Sequence, residues 1–294
     1  MSDGVRSLLT GAVYVLGSGL VFVFGSSYYA LFPTNRSRSF RIGLVAAFAI
    51  AASLTIRTGV DPVHGLLALG LLAAAAANAL GAEAVRLHRR LGLSDDSLTG
   101  IGAAKGLEAL VVVGTILAIL AIGRVPLATV YLSIGNVPLG LAVGLGGFAV
   151  FVVLAAMQAK SMGIPRSTIR RLLPWILLFV FANAFMEELW FRGLFLRPLA
   201  SHLGPIAAIV LTAAMFALAH IGASYMLKPE RVRFLLILFP LGLAWGAATH
   251  FTGSLFASTL FHAGADLMIV NGFIAALHGP RASGSPGADG GWRI

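Results

Sequence analysis

The sequence predicts an all-α fold, a polytopic transmembrane helix bundle of about nine spans, with eight as the alternative count. Three observations carry that prediction. The 294 residues are 58% hydrophobic and only 11% charged, with a mean hydropathy of +0.92. A soluble chain this apolar could not cover its own surface. Apolar runs long enough to cross a bilayer recur along the whole sequence. Lys and Arg concentrate in alternate connecting segments, as they do where loops are retained on the cytoplasmic side.

The spans are expected at 8–32, 42–57, 63–82, 107–123, 137–158, 174–198, 204–226, 234–250 and 254–276. The first follows Arg6 and resembles a signal peptide, but it is too long for an apolar signal core and lacks a clear small-x-small cleavage site. The second is short, which keeps eight spans open. The third, 66-LLALGLLAAAAANALGA-82, is rich in Ala and Gly, which suits close packing between helices in lipid. After it, 83-EAVRLHRRLGLSDD-96 reads either as a short amphipathic helix on the membrane surface or as a solvated loop, with His88 on its basic face. His64, His202, His250 and His278 fall at span ends or in loops and receive no role. Span seven is closed by Lys228, eight residues after His220 and so about 12 Å further along a helix. The segment 166-RSTIRRLLPW-175 is expected along the surface, with span six proper starting near Pro174. The tail 279-GPRASGSPGADGGWRI-294 is Gly/Pro/Ser-rich and expected to be disordered.

The basic residues order the topology. Arg36, Arg38 and Arg41 lie in the first loop; Arg86, Arg89, Arg90 and Lys105 in the third; Lys160, Arg166, Arg170 and Arg171 in the fifth; Lys228, Arg231 and Arg233 in the seventh. This alternation predicts an external N-terminus and a cytoplasmic C-terminus. It also accounts for the formal charge of +10 without a nucleic-acid partner. Cysteine is absent, which excludes disulfides, thiolate metal sites and a cysteine nucleophile.

A few ionisable residues are left at membrane depth. They are Glu187, Glu188 and Arg192 in span six, His220 in span seven, and His262 with Asp266 in span nine. A charge there costs on the order of 2.5–3.5 kcal/mol on insertion scales, so these groups must face one another or a water-filled cavity. Glu188 and Arg192, four apart, share a helix face and can pair. Glu187 is turned about 100° from Glu188 and points elsewhere, free to act as a general base. Asp266 lies four residues after His262 and can orient its imidazole. A structural ion-pair cluster and a proton or ion pathway are the other readings these residues allow.

In order, 187-EELWFR-192, 216-FALAH-220 and 262-HAGAD-266 resemble the EExxxR, FxxxH and HxxxD motifs of the CPBP family. These are the CAAX-protease and bacteriocin-processing (Abi) intramembrane proteases, which include Rce1-type prenyl-protein endopeptidases. The resemblance covers about residues 170–275. It implies a protease core at 171–276, preceded by N-terminal transmembrane helices of unassigned role at 1–170 and followed by the tail at 277–294. It also implies an endopeptidase acting on membrane-anchored proteins or peptides in contact with membrane lipid. By motif, Glu187 activates water, His220 helps to position it, His262 and Asp266 support the oxyanion, and Glu188 with Arg192 holds the helix. The fourth-motif position is often Asn in the family; an ionised Asp266 cannot donate to an oxyanion. No cofactor is required on this reading, and HExxH is missing, although zinc held by Glu and His side chains stays open as an alternative.

Rival readings fit fewer residues. A site-two metalloprotease needs HExxH, a presenilin-type protease needs GxGD with a second Asp, and a rhomboid needs GxSG where 222-GASY-225 offers Tyr225 in place of the last Gly. A transporter or ion relay predicts charges spread along a path and often repeated halves. A non-catalytic immunity or scaffold protein of the same fold is the third alternative.

Overall fold

The computed structural model describes residues 3–25, 34–58, 61–93, 97–221 and 228–278, and among these it is all-helical, with no strand. Helix α1 (Asp3–Ser18) runs on into a π-helical stretch (Gly19–Phe24). It is followed by α2 (Thr34–Thr58), α3 (Pro62–Arg90), α4 (Leu98–Ile122) and α5 (Val137–Ser161). Then come α6 (Arg166–Glu188), a second π-helical stretch (Leu189–Gly193), α7 (Leu196–Leu203), α8 (Pro205–Ala219), α9 (Lys228–Thr252) and α10 (Leu255–His278). Among the described residues, eight helical segments are long and apolar enough to cross a membrane, with α6, the π-stretch and α7 forming one of them from Arg166 to Leu203. The expected seventh span is the exception: α8 is an apolar helix of 15 residues, about 22 Å at 1.5 Å per residue and shorter than a typical hydrocarbon core.

Several boundaries differ from expectation for physical reasons. Helix α8 ends at Ala219 with His220 as its C-cap at φ −90° and ψ 0°. Lys228 opens α9 rather than closing span seven, and residues 222–227, over which the 12 Å rise was expected, lie outside the described residues. Segment 166–175 is the first part of α6, with Pro174 inside the helix. A proline costs one backbone hydrogen bond, a loss that neighbouring helices make tolerable within a membrane span. The stretch 83–90 continues α3 rather than forming its own helix, and His88 is 1% exposed with a ring nitrogen 3.2 Å from the Gly100 carbonyl, not on a basic face. Lys105 lies inside α4, paired with Glu108 at 2.7 Å, and not in a loop. The rhomboid-like 222-GASY-225 and the tail 279–294 lie outside the described residues.

Two apolar clusters hold the bundle. The larger joins α1, α3, α4 and α7–α9 through residues such as Tyr14, Leu67, Ile116, Phe195, Phe216 and Trp245. The smaller joins α4, α6 and α10 through Leu98, Phe179, Val180 and Val270. Close approach of α10 to α5 depends on Gly264, where a Cβ would come within 2.9 Å of the Phe148 Cα. These contacts bring α6, α8, α9 and α10 together around one polar interior.

Candidate active site

The site is built outward from α6. Asn183, Glu187 and Glu188 lie on this helix, which then widens into the π-helical turn carrying Arg192. Single π-turns of this kind occur frequently at functional sites. Arg192 Nη1 donates to Glu188 Oε1 at 3.0 Å, and both side chains are 0% exposed, so the pair expected from the four-residue spacing forms. Arg192 Nη2 donates to the Gly242 carbonyl on α9 at 3.0 Å. Gly242 permits that approach: a Cβ there would lie 3.2 Å from Nη2 and 3.1 Å from the Ala213 Cβ. The guanidinium also covers Phe216, with its carbon 4.7 Å from the ring centroid. A buried cation is thus neutralised, hydrogen-bonded and stacked, the conditions under which charge is tolerated away from water.

Glu188 also reaches across to α10, where its Oε1 lies 2.9 Å from His262 Nδ1. A carboxylate oxygen paired to arginine accepts here, so Nδ1 carries the proton and Nε2 is directed away. Four-residue spacing alone points to Asp266 for this orienting role. The helix crossing places Glu188 closer: Asp266 Oδ1 comes only to 3.6 Å from Nε2, while Oδ2 accepts from Asn183 Nδ2 at 2.9 Å. The His262 ring is fixed on its face by Trp245, stacked at 3.8 Å between centroids and 9° between planes.

Glu187 faces a different set of groups, as its rotation from Glu188 requires. Its Oε1 lies 3.7 Å from His220 Nε2 and its Oε2 lies 3.6 Å from His262 Nε2. His220 Nδ1 lies 2.8 Å from the Phe216 carbonyl. A carbonyl can only accept, so this nitrogen too carries the proton and Nε2 is aimed at Glu187. Phe216 itself meets the His220 ring at 4.6 Å and the His262 ring edge-on at 5.6 Å. Both residues of FxxxH therefore take part in the arrangement.

Exposure divides the cluster in two. Glu187 and His220 retain 14% and 19% of their side-chain accessibility, whereas Glu188, Arg192, His262 and Asp266 retain 3% or less. The accessible carboxylate is the one without a dedicated cation.

All six sequence-predicted residues, Glu187, Glu188, Arg192, His220, His262 and Asp266, meet in one cluster. Asn183 was missed although a signal existed, a polar residue one helical turn before Glu187 at membrane depth. Trp245 and the Gly242 carbonyl had no signal, because their proximity arises only from how α9 packs. Lys105 was set aside as a loop residue, yet it lies in α4 near enough for its charge to act on Glu187 and Asp266.

No curated protein and no solved structure matches the chain. Residues 169–268, about a third of the chain, match the family model described as type II CAAX prenyl endopeptidase Rce1-like. That segment spans EExxxR, FxxxH and HxxxD together. Over this segment the chain is similar to Rce1-like type II CAAX prenyl endopeptidases, the CAAX-protease kind that the three motifs resemble.

Proposed function

We propose that the chain is an intramembrane endopeptidase in which Glu187 activates water against a peptide bond of a membrane-anchored protein or peptide. The observation that carries this reading is the placement of Glu187 between two imidazole Nε2 atoms, at 3.7 and 3.6 Å, on three different helices. Both Nδ1 protons are committed elsewhere, to the Phe216 carbonyl and to Glu188. In its neutral form His220 accepts at Nε2, so a water bound there donates its protons toward Glu187 and His220. Neither separation is a direct hydrogen bond, and across more than 3.5 Å a shared water can link such groups.

Water gives a proton to Glu187 as its oxygen attacks the scissile carbonyl carbon, and the C–O bond forms while the carbonyl becomes an oxyanion. In its imidazolium form His262 has one uncommitted donor, Nε2–H, which stabilises that oxyanion. Collapse breaks the C–N bond, and Glu187 returns the proton to the leaving amine. Glu188 and Arg192 hold His262 and the π-turn in position; Asp266, tied by Asn183, closes the far side of Nε2. The protease core then corresponds to residues 171–276, and the basic loops orient the N-terminus outward.

Glu187→Gln tests the reading, since Gln is nearly isosteric and cannot act as a base. Protein termini are compared in membranes from cells carrying each form. Specific cleaved termini should fall by roughly 10²–10⁴-fold, the usual contribution of general-base catalysis, with expression unchanged. Termini that persist in Glu187→Gln and in His220→Ala would remove the protease reading and favour an ion relay or a scaffold.

A further inference from the structure

Away from this cluster, three side chains that the catalytic proposal does not use converge from distant parts of the sequence. Asp61 immediately precedes α3, His64 lies in its first turn, and His202 lies in the last turn of α7. Each offers one ligating atom, and these atoms all lie within 4.8 Å of one another. His202 Nε2 and Asp61 Oδ2 are 3.1 Å apart across 141 residues of sequence. We propose that Asp61, His64 and His202 form a binding site for a divalent cation of the zinc class, joining the N-terminal helices to the segment that carries Glu187 and Glu188.

The ligand chemistry fits that class. Two imidazole nitrogens and a carboxylate oxygen form a common three-ligand zinc set, with a fourth position for water. Bonds of about 2.0–2.1 Å in a tetrahedral site place ligand atoms roughly 3.3 Å apart. The Asp61–His202 separation already matches, and the His64 ligand atom lies within 4.8 Å of both. The outer surroundings fit as well. Val63 N–H donates to Asp61 Oδ1 at 3.0 Å. Thr10 on α1 places its hydroxyl 3.1 Å from His64 Nε2, and Ser7 donates to the His202 carbonyl at 2.7 Å. His64 Nε2 faces Thr10 while its Nδ1 is buried without a hydrogen-bond partner, a costly state for a polar atom unless a ligand engages it. Arg6 approaches Asp61 Oδ2 only to 3.9 Å and is 42% exposed, so it does not close the site.

An ion there would act as a staple rather than as a reactant. His202 is continuous, through α7 and the π-turn, with Arg192 and Glu188. Fixing that end to α3 and α1 sets the position of the helix that supplies the candidate base. This gives the N-terminal helices a role that no motif assigned to them.

The test uses full-length, tag-free protein in detergent, stripped with chelator and then given Zn²⁺. One equivalent of zinc per chain and a raised unfolding temperature are expected. His64→Gln and His202→Gln should each weaken binding by at least about 100-fold, since even outer partners of a metal ligand carry 10–100-fold. Glu187→Gln and His262→Gln should keep the equivalent, which separates this site from the catalytic cluster. The chain has no cysteine, so His202→Cys supplies a single thiol. Added Co²⁺ should then show a thiolate charge-transfer band that depends on His64. Absence of bound zinc, loss of zinc only in His262→Gln or Glu187→Gln, or a folded His202→Cys protein without the band would each overturn the proposal.

Discussion

Two carboxylates in this molecule have nearly the same company and very different surroundings. Glu188, in the bundle interior, meets Arg192 and His262 and is completely buried. Glu83, near the end of α3, pairs with Arg86 on its own helix and with Arg38 at 3.4 Å, and its side chain is 38% exposed. Each helix-local pair is within the reach of one helical turn and was available to a reading of spacing alone. What differs is the medium. Water solvates Glu83 whether or not its arginines are present. Glu188 has no such alternative, so its partners become obligatory. The comparison teaches that the energetic weight of an ion pair in this fold follows from burial rather than from the residues that form it.

The largest effect should come from breaking the buried pair. Arg192→Met removes the guanidinium, leaving Glu188 charged and fully buried beside His262. Loss of one partner of a buried pair costs about 3–5 kcal/mol, enough to consume much of the stability of a typical domain. Thermal unfolding in detergent should move sharply downward. Combining Arg192→Met with Glu188→Gln should recover part of that loss, because no charge is left uncompensated and Gln Oε1 can still accept from His262 Nδ1. A double variant no more stable than Arg192→Met would show that stacking on Phe216 matters more than charge compensation. Cleavage should respond differently, since Glu187 remains in both proteins.

A smaller effect is expected at a site between these extremes. Asp266 is buried but draws its hydrogen bond from a neutral group, Asn183 Nδ2 at 2.9 Å. Asn183→Ala leaves Oδ2 without that donor, at a cost of about 1–3 kcal/mol for an unsatisfied buried polar group. Asn183→Leu should cost at least as much, since it also fills the space from which water could substitute. If the asparagine serves only to fix Asp266, then Asn183→Ala together with Asp266→Ala should be less destabilised than the sum of the single changes.

How far the sequence could anticipate this site depends on which contacts are local. Pairing of Glu188 with Arg192, and the separate direction of Glu187, follow from helical spacing and appear as expected. Contacts between helices do not follow from spacing. His262 is hydrogen-bonded by Glu188 rather than by Asp266, because α6 crosses α10 at the level of Glu188. Trp245 lies against His262 because α9 packs there, and its sequence context marks it only as apolar. The spans were legible from hydropathy, yet charge misplaced some of their ends. Lys105 inside α4, and the three arginines at the start of α6, were read as loop or surface residues, since hydropathy treats each charge as a boundary. Lys105 is instead accommodated by Glu108 one turn away. His64 and His202 were passed over because each sits alone at a span end, and only the fold brings them together with Asp61.

The smallest effect should be at Glu83, and it is the sharpest check on the comparison. Glu83→Gln removes the carboxylate from Arg86 and Arg38 while preserving size. Exposed pairs of this kind contribute about 0.2–1 kcal/mol, because water replaces what the partner provided and the long side chains regain their freedom. Unfolding temperature in detergent should scarcely move, and what difference exists should shrink further as salt is raised. Cleavage should be unaffected, since no residue of the Glu187 cluster touches this pair. A loss approaching that of Arg192→Met would show that the α3 end is sealed from water when the chain is folded. Burial seen in the isolated chain would then understate what the membrane covers. An unchanged Glu83→Gln protein beside a destabilised Arg192→Met protein establishes that the same pairing chemistry is optional at one end of the bundle and required at the other.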